Sequence, residues 1–149
     1  MPGYYPPVGF PFKVEVDGLP PNDNDNRFTE VGGLSVELAT EEVAEGGENR
    51  FIQKYPVRAK YPELVLKRGL LLDSEVVGWV RRCIENLEIV PRTVYVKLLN
   101  EEHQPLLTWN LTNAYPTRWA VSDLSSTNNA VVVESMQLFY QAFTLQREG

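Results

Sequence analysis

The chain predicts a mainly β protein, an antiparallel β-barrel or sandwich with one flanking α-helix. Short stretches of alternating apolar and polar residues recur along almost its whole length, the pattern of half-buried strands. Polar loops of hairpin length, not helical crossovers, separate most of them. A single stretch, residues 73–88, repeats apolar side chains at helical spacing instead.

With 149 residues the chain is long enough for one domain with a real core, so residues 1–149 are taken as a single unit. Its formal net charge of -6 argues only weakly against nucleic-acid binding, which needs clustered Lys and Arg; the run from Arg50 to Lys60 is the one candidate basic patch. The one cysteine, Cys83, forbids an intrachain disulfide. The N-terminus, MPGYYPPVGF, lacks the basic and apolar regions of a signal peptide. No window approaches the roughly 18 apolar residues of a membrane span, so no membrane insertion is expected.

Residues 1–9 are rich in Pro and Tyr and read as an extended arm, either a frayed terminus or an arm that packs on a neighbour through Tyr4 and Tyr5. Residues 10–16 form a strand with Phe10, Phe12, Val14 and Val16 on one face. Residues 19–26, LPPNDNDN, read as a loop with nothing to bury; they lack the Gly and the distal Glu of a calcium loop. A second strand begins at 28–31 and bends at Gly32-Gly33. Residues 34–43 alternate, with Leu34, Val36 and Leu38 toward a core and Ser35, Glu37, Ala39 and Glu41 toward water.

Residues 44–62 are expected to be a long loop. Gly46 and Gly47 permit a sharp corner. A short strand over 51–55 follows, and Tyr55-Pro56 and Tyr61-Pro62 bracket a segment carrying Lys54, Arg58 and Lys60. Residues 64–66 resume a strand that ends at Lys67-Arg68-Gly69. The helix over 73–88 starts on Asp73 or Ser74 as N-cap with Glu75 in the first turn. Its apolar stripe is Val76, Val80, Cys83, Ile84 and Leu87, broadened by Val77 and Trp79, and Pro91 bars its continuation. Strands follow over 93–99 and 106–112, a break at 113–116, a short strand over 117–121, a polar loop over 122–129, and a long strand over 130–146 with both faces apolar. The sum is roughly eight strands and one helix.

No catalytic set survives inspection. His103 is the only histidine and sits in the polar turn NEEHQP, with no nucleophile or carboxylate arranged around it. Cys83 lies on an apolar stripe, the setting of an inert thiol. One Cys and one His are too few for a zinc site. The adjacent pairs Glu41-Glu42 and Glu101-Glu102 point to opposite faces of a strand. Gly46-Gly47 is followed by no helix and matches no phosphate loop. Trp79, Trp109 and Trp119 read as core or interface anchors. Neither an enzyme nor a cofactor is expected.

Six segments resemble one family, the phage tail-tube proteins that form the inner tube of contractile tails and related injection systems. They are FKVEVDGL (12–19), FTEVGGLSVE (28–37), EGGENRFIQKYPVRAKYPELVLKRGL (45–70), VYVKLLNEE (94–102), TWNLTNAYPTRW (108–119) and SSTNNAVVVESMQL (125–138), and they follow one another in family order. The resemblance implies six copies closing edge to edge into a hexameric ring around a shared inner β-barrel, with rings stacking into a hollow tube. It implies sheath, spike or baseplate, and tube-terminating proteins as partners, and protein or DNA as cargo in the lumen. Assembly in the bacterial cytoplasm, as part of a phage tail or tail-like particle, goes with it. Carried onto this chain, the long loop becomes the contact between subunits and between rings. Gly46 and Gly47 set its corner, Glu48, Arg50, Lys54, Arg58 and Lys60 offer ion pairs, Asn49 completes the corner, and Tyr55 and Tyr61 are anchors; the alternative is a solvated loop. Ser35, Glu37, Ala39 and Glu41 become candidate lumen lining; the alternative is an outward solvent face. Two further possibilities stay open: an adaptor ring joining spike or baseplate to the tube, and a stand-alone ligand-binding β module.

Overall fold

The computed structural model describes residues 11–44 and 52–148. The expected arm at 1–9 and the Gly46-Gly47 corner lie outside them. Nine strands and one helix appear among the described residues. Strand β1 (Phe12–Val16), β2 (Glu30–Gly32), β5 (Leu64–Gly69), β6 (Arg92–Leu99), β7 (Pro105–Val121), β8 (Val133–Phe139) and β9 (Ala142–Arg147) join in one sheet, ordered β1-β6-β7-β8-β5-β2 with β9 also on β7. Strands β3 (Glu37–Ala44) and β4 (Ile52–Lys60) make a separate two-stranded sheet. Every pairing is antiparallel.

The alternation read from the sequence sets the inner face. Val14 and Val16 of β1, Leu64 and Leu66 of β5, Val94 and Val96 of β6, and Met136 and Leu138 of β8 are all buried in one cluster. Helix α1 (Glu75–Glu85) adds Val76, Trp79, Val80 and Cys83 to it. Ser74 is the N-cap, its Oγ accepting from the Val77 amide at 3.1 Å, which satisfies an amide the first turn would leave orphaned. The buried Trp79 ring donates through Nε1 to the Val90 carbonyl at 2.9 Å, so the segment after the helix is tied back to it.

The helix is a turn shorter than its sequence pattern suggests. It caps at Asn86, and Leu87 takes a positive φ of 55°, a left-handed residue that ends a helix. Leu87 therefore lies exposed beyond the helix, and Ile84, in its last turn, is exposed too, so neither continues the buried stripe.

The expected break at 113–116 is absent. Strand β7 runs through it, pairing β6 and β9 with its first part and β8 with its second. Asn113 sits at φ 51° and the ladder to β8 slips between Pro116 and Arg118. Such irregularities bend a strand without ending it, and so β7 carries the chain from one half of the sheet to the other. Conversely, the long strand expected over 130–146 is two strands. Tyr140 and Gln141 separate β8 from β9, and Val131 and Phe139 are exposed, so only the Glu134–Met136–Leu138–Tyr140 face is covered.

Residues 19–26 do bury something. Asp25 is 2% exposed, held by Arg68 of β5 and by the start of α1. Arg68 Nη2 lies 3.0 Å from Asp25 Oδ1 and donates to Ser74 Oγ at 2.8 Å, while Nη1 donates to the Asp25 carbonyl at 2.7 Å. Ser74 Oγ also donates to Asp25 Oδ1, and the Val76 amide donates to Asp25 Oδ2 at 3.0 Å. The Arg68 guanidinium lies 4.5 Å over the Phe28 ring. An Asn- and Asp-rich string gives no warning of this in sequence, because its partner is far along the chain.

Candidate assembly interface

The stretch expected as a loop over 44–62 is largely strand. Residues 52–60 form β4, which pairs β3 from Glu37↔Lys60 to Ala44↔Ile52. Pro56 does not break it: the register slips between Ala39 and Thr40, and Pro56 stands opposite Thr40. Proline is tolerated on an edge strand beside a bulge, where no neighbour needs its missing amide. With only two strands, both β3 and β4 are edges. Neither packs extensively on any described element but the other.

Consequently the expected core face of 34–43 is not in a core. Leu34 is partly buried against the main cluster, but Val36 is 53% and Leu38 59% exposed, and Val57 of β4 is 58% exposed. Alternation marked Leu34, Val36 and Leu38 as one apolar face; it could not say that no described element would cover Val36 and Leu38. A bare two-stranded ribbon is marginal in water, and a cluster of exposed apolar side chains on it marks an interaction surface.

The hairpin leaves the body at a fixed elbow. Gly33 takes φ +92°, and a Cβ there would come 2.3 Å from the Glu63 carbonyl oxygen; only glycine fits both the conformation and the approach. Across the elbow Tyr61 meets Tyr140 and Phe143 edge-on, with centroids at 5.8 and 5.0 Å. The Tyr140 hydroxyl donates to the Gly33 carbonyl at 3.3 Å. Burial, with the neighbouring Tyr61, pushes the Tyr140 phenol up to about 12. Tyr61, half-buried, thus packs on its own chain at the base of the hairpin.

The other sequence-selected residues divide simply. Glu37, Ala39 and Glu41 face Lys60, Arg58 and Tyr55 in register across the hairpin. Glu37, Glu41, Tyr55, Arg58 and Lys60 are exposed, Ala39 less so, and Ser35 is exposed just before the strand. Lys54 Nζ stands 3.8 Å from Glu42, a loose surface pair worth little by itself. Gly46, Gly47, Glu48, Asn49 and Arg50 lie outside the described residues. Among the described residues no group of His, Cys, Asp or Glu could hold a metal ion, and no helix is long and apolar enough to cross a membrane.

An antiparallel sheet folded about one core, with a single helix and a projecting hairpin, is the architecture of tail-tube proteins. The chain belongs to the family described as T4-like virus tail tube protein gp19, which matches residues 8–144. It is a structural tube subunit of a phage tail or tail-like contractile injection system, and not an enzyme. Among solved structures, a chain of the anti-feeding prophage (AFP) baseplate, 6-fold symmetrised, is 30% identical with a TM-score of 0.84 over 96% of this chain and 97% of that one. A chain of the PVC sheath-tube complex of an extracellular contractile injection system, in the extended state, is 24% identical with a TM-score of 0.80 over 98% and 95%. Hcp1 from Flavobacterium johnsoniae shares the fold at 11% identity and a TM-score of 0.54 over 93% and 97%. No curated protein sequence matches the chain.

Proposed function

We propose that six copies of this chain close into a ring and that the rings join a hollow tube through which protein or DNA passes. The observation that carries this is the bare β3–β4 hairpin. It is a two-edged ribbon tied at its elbow through Tyr61, with Leu38 and Val57 exposed and no other described element covering it, and a second copy supplies both cover and strand partners. Membership of the tail-tube family and likeness to a chain from a 6-fold symmetrised assembly support the number. In this arrangement the 45–61 segment, with Gly46 and Gly47 at its corner, contacts a neighbouring subunit or the next ring. Ser35, Glu37, Ala39 and Glu41 line the lumen. Sheath, spike and tube-terminating proteins are the other partners, and assembly takes place in the bacterial cytoplasm. Electron microscopy of the purified chain at high concentration is expected to reveal rings or tubes with a central hole. A species that stays monomeric there, and in assembled particles, overturns the proposal.

A second reading concerns position along the tube. Likeness to the baseplate chain exceeds likeness to the sheath-tube chain in identity, 30% against 24%, and in TM-score, 0.84 against 0.80. That difference favours a ring at the baseplate end, joining spike to shaft. Antibody labelling of intact particles separates the two: label confined to one end marks the adaptor, and label along the whole length marks the shaft.

A further inference from the structure

The charges of the hairpin are segregated by strand. Strand β3 carries Glu37, Glu41 and Glu42 and no base; β4 carries Lys54, Arg58 and Lys60 and no acid. The two strands together are therefore neutral while the chain as a whole bears -6. Between the described residues of β3 and β4 only Lys54 and Glu42 approach as an ion pair, at 3.8 Å. Glu37, Glu41, Arg58 and Lys60 make none with any described residue, and all four are exposed.

We propose that the hairpin is a self-complementary ribbon, in which the acidic β3 edge of one copy lies against the basic β4 edge of the next. This rests on the ring reading above and adds to it the surfaces that meet and the reason they meet in only one way. Copies related by rotation about an axis along the strands keep one direction. Because β3 and β4 run antiparallel within a chain, β3 of one copy then also runs antiparallel to β4 of its neighbour. The up-down order continues unbroken around the ring, a head-to-tail contact that closes when the rotation permits. Two β3 edges repel, and so do two β4 edges. Charged groups and proline on an edge ordinarily serve to keep other strands away. Here each edge carries a single sign and the two edges carry opposite signs, so only the unlike pair is attractive. The rigid elbow at Gly33 and Tyr61 presents the ribbon already oriented, which lowers the entropy lost on docking.

Charge reversal on full-length chains tests this. One variant carries Glu37→Lys, Glu41→Lys and Glu42→Lys, so that both its edges are basic. A second carries Lys54→Glu, Arg58→Glu and Lys60→Glu, so that both are acidic. Each alone is expected to need roughly tenfold or more protein to form rings, as like charges then face each other at every contact. An equimolar mixture is expected to recover rings, because alternating copies restore an opposite pair at each contact and six is an even number. A chain carrying all six reversals, with the hairpin's own pairing kept but inverted, is expected to assemble unaided. Thermal unfolding of each variant reports the fold separately from assembly. The proposal is overturned by triple variants that form rings as the unaltered chain does, or by a mixture and a six-fold variant that fail to recover them. Absence of rings from the unaltered chain at every salt concentration is a different result, and overturns the ring reading itself.

Discussion

Arg68 Nε donates to Glu134 Oε2 at 2.8 Å although the two residues lie 66 positions apart. Both side chains are almost wholly buried. Glu134 Oε1 accepts from Trp119 Nε1 at 3.0 Å, and the rest of the Arg68 guanidinium is taken up by Asp25 and Ser74. One side chain thereby joins β5, β8, the 19–26 loop and the cap of α1. Arg68→Met leaves two buried carboxylates facing each other without a cation, so a loss of roughly 3–5 kcal/mol is expected. Glu134→Gln keeps the shape and an acceptor, and is expected to cost less. Urea unfolding of both variants checks the order; equal losses, or a loss below about 1 kcal/mol for Arg68→Met, contradict it.

Ser74→Ala removes an N-cap that also accepts from Arg68 and donates to Asp25. A cap alone is worth about 0.5–2 kcal/mol. The expected loss lies at or above the top of that range, since the same deletion strips a partner from a buried guanidinium. Chemical denaturation measures it, and a loss under about 0.5 kcal/mol speaks against the linked network.

Gly33→Ala forces a Cβ against the Glu63 carbonyl at a positive φ, so the elbow must open. A stability loss above about 1 kcal/mol is expected, together with weaker assembly. Hydrogen exchange localises the effect: faster exchange in β2 and at the base of β3, with β6 and β7 unchanged, is the expected pattern. Uniform acceleration across the whole sheet counts against a local elbow.

Tyr140 supplies an alkaline signature. Its folded pKa, about 12, lies above the ordinary phenol value of about 10, so the folded state holds the proton more tightly. The stabilisation is complete below pH about 10 and is lost as pH rises toward 12. Tyrosinate absorbance should contain one late-titrating phenol, absent from Tyr140→Phe. A wild-type curve without that late step refutes the assignment.

Glu15 gives the acidic counterpart. Burial pushes its pKa up, but hydrogen bonds and charge from Lys13 and Lys97, at 2.9 and 3.2 Å, outweigh this and leave it lowered. Its contribution is present above the ordinary carboxylate value and disappears as pH falls through the lowered one. The three side chains are about a third exposed and screened by water, so less than about 1 kcal/mol is at stake. The stability difference between wild type and Glu15→Gln should shrink on acidification; a difference independent of pH disproves it.

The legible parts of the fold are those where neighbours in sequence share an environment. The Val14–Val16 and Val94–Val96 alternations place one face of β1 and β6 inside, as observed. The Val76–Val80–Cys83 spacing and Ser74 mark the helix and its start. The boundaries at 113–116 and 140–141 were not legible. Whether a bend ends a strand depends on the ladder around it: β7 runs on through Asn113 because β8 waits on the far side, while Tyr140 and Gln141 lie opposite that bend, where the ladder along β7 passes from β8 to β9.

For the stretch proposed as the interface, the sequence suggested the wrong shape. Gly, Pro and Tyr at 45–62 suggested a loop because those residues break isolated strands. Pairing with β3 overrode them through a bulge at Pro56. Val36 and Leu38 had every local sign of a core face, yet local pattern records only that a side chain prefers to leave water, and not which body covers it.

By itself, then, the sequence determined an antiparallel β domain with one helix, the absence of any recognisable catalytic set, and a resemblance to tail-tube proteins. The tertiary structure alone decided that β3 and β4 stand apart as a two-edged ribbon with an acidic and a basic strand, and that Asp25, Arg68 and Glu134 meet in the core. The reason is physical. Alternation, capping and turn chemistry act over a few neighbouring residues, whereas exposure of an edge and neutralisation of a buried charge depend on groups brought together from 40 to 110 positions away.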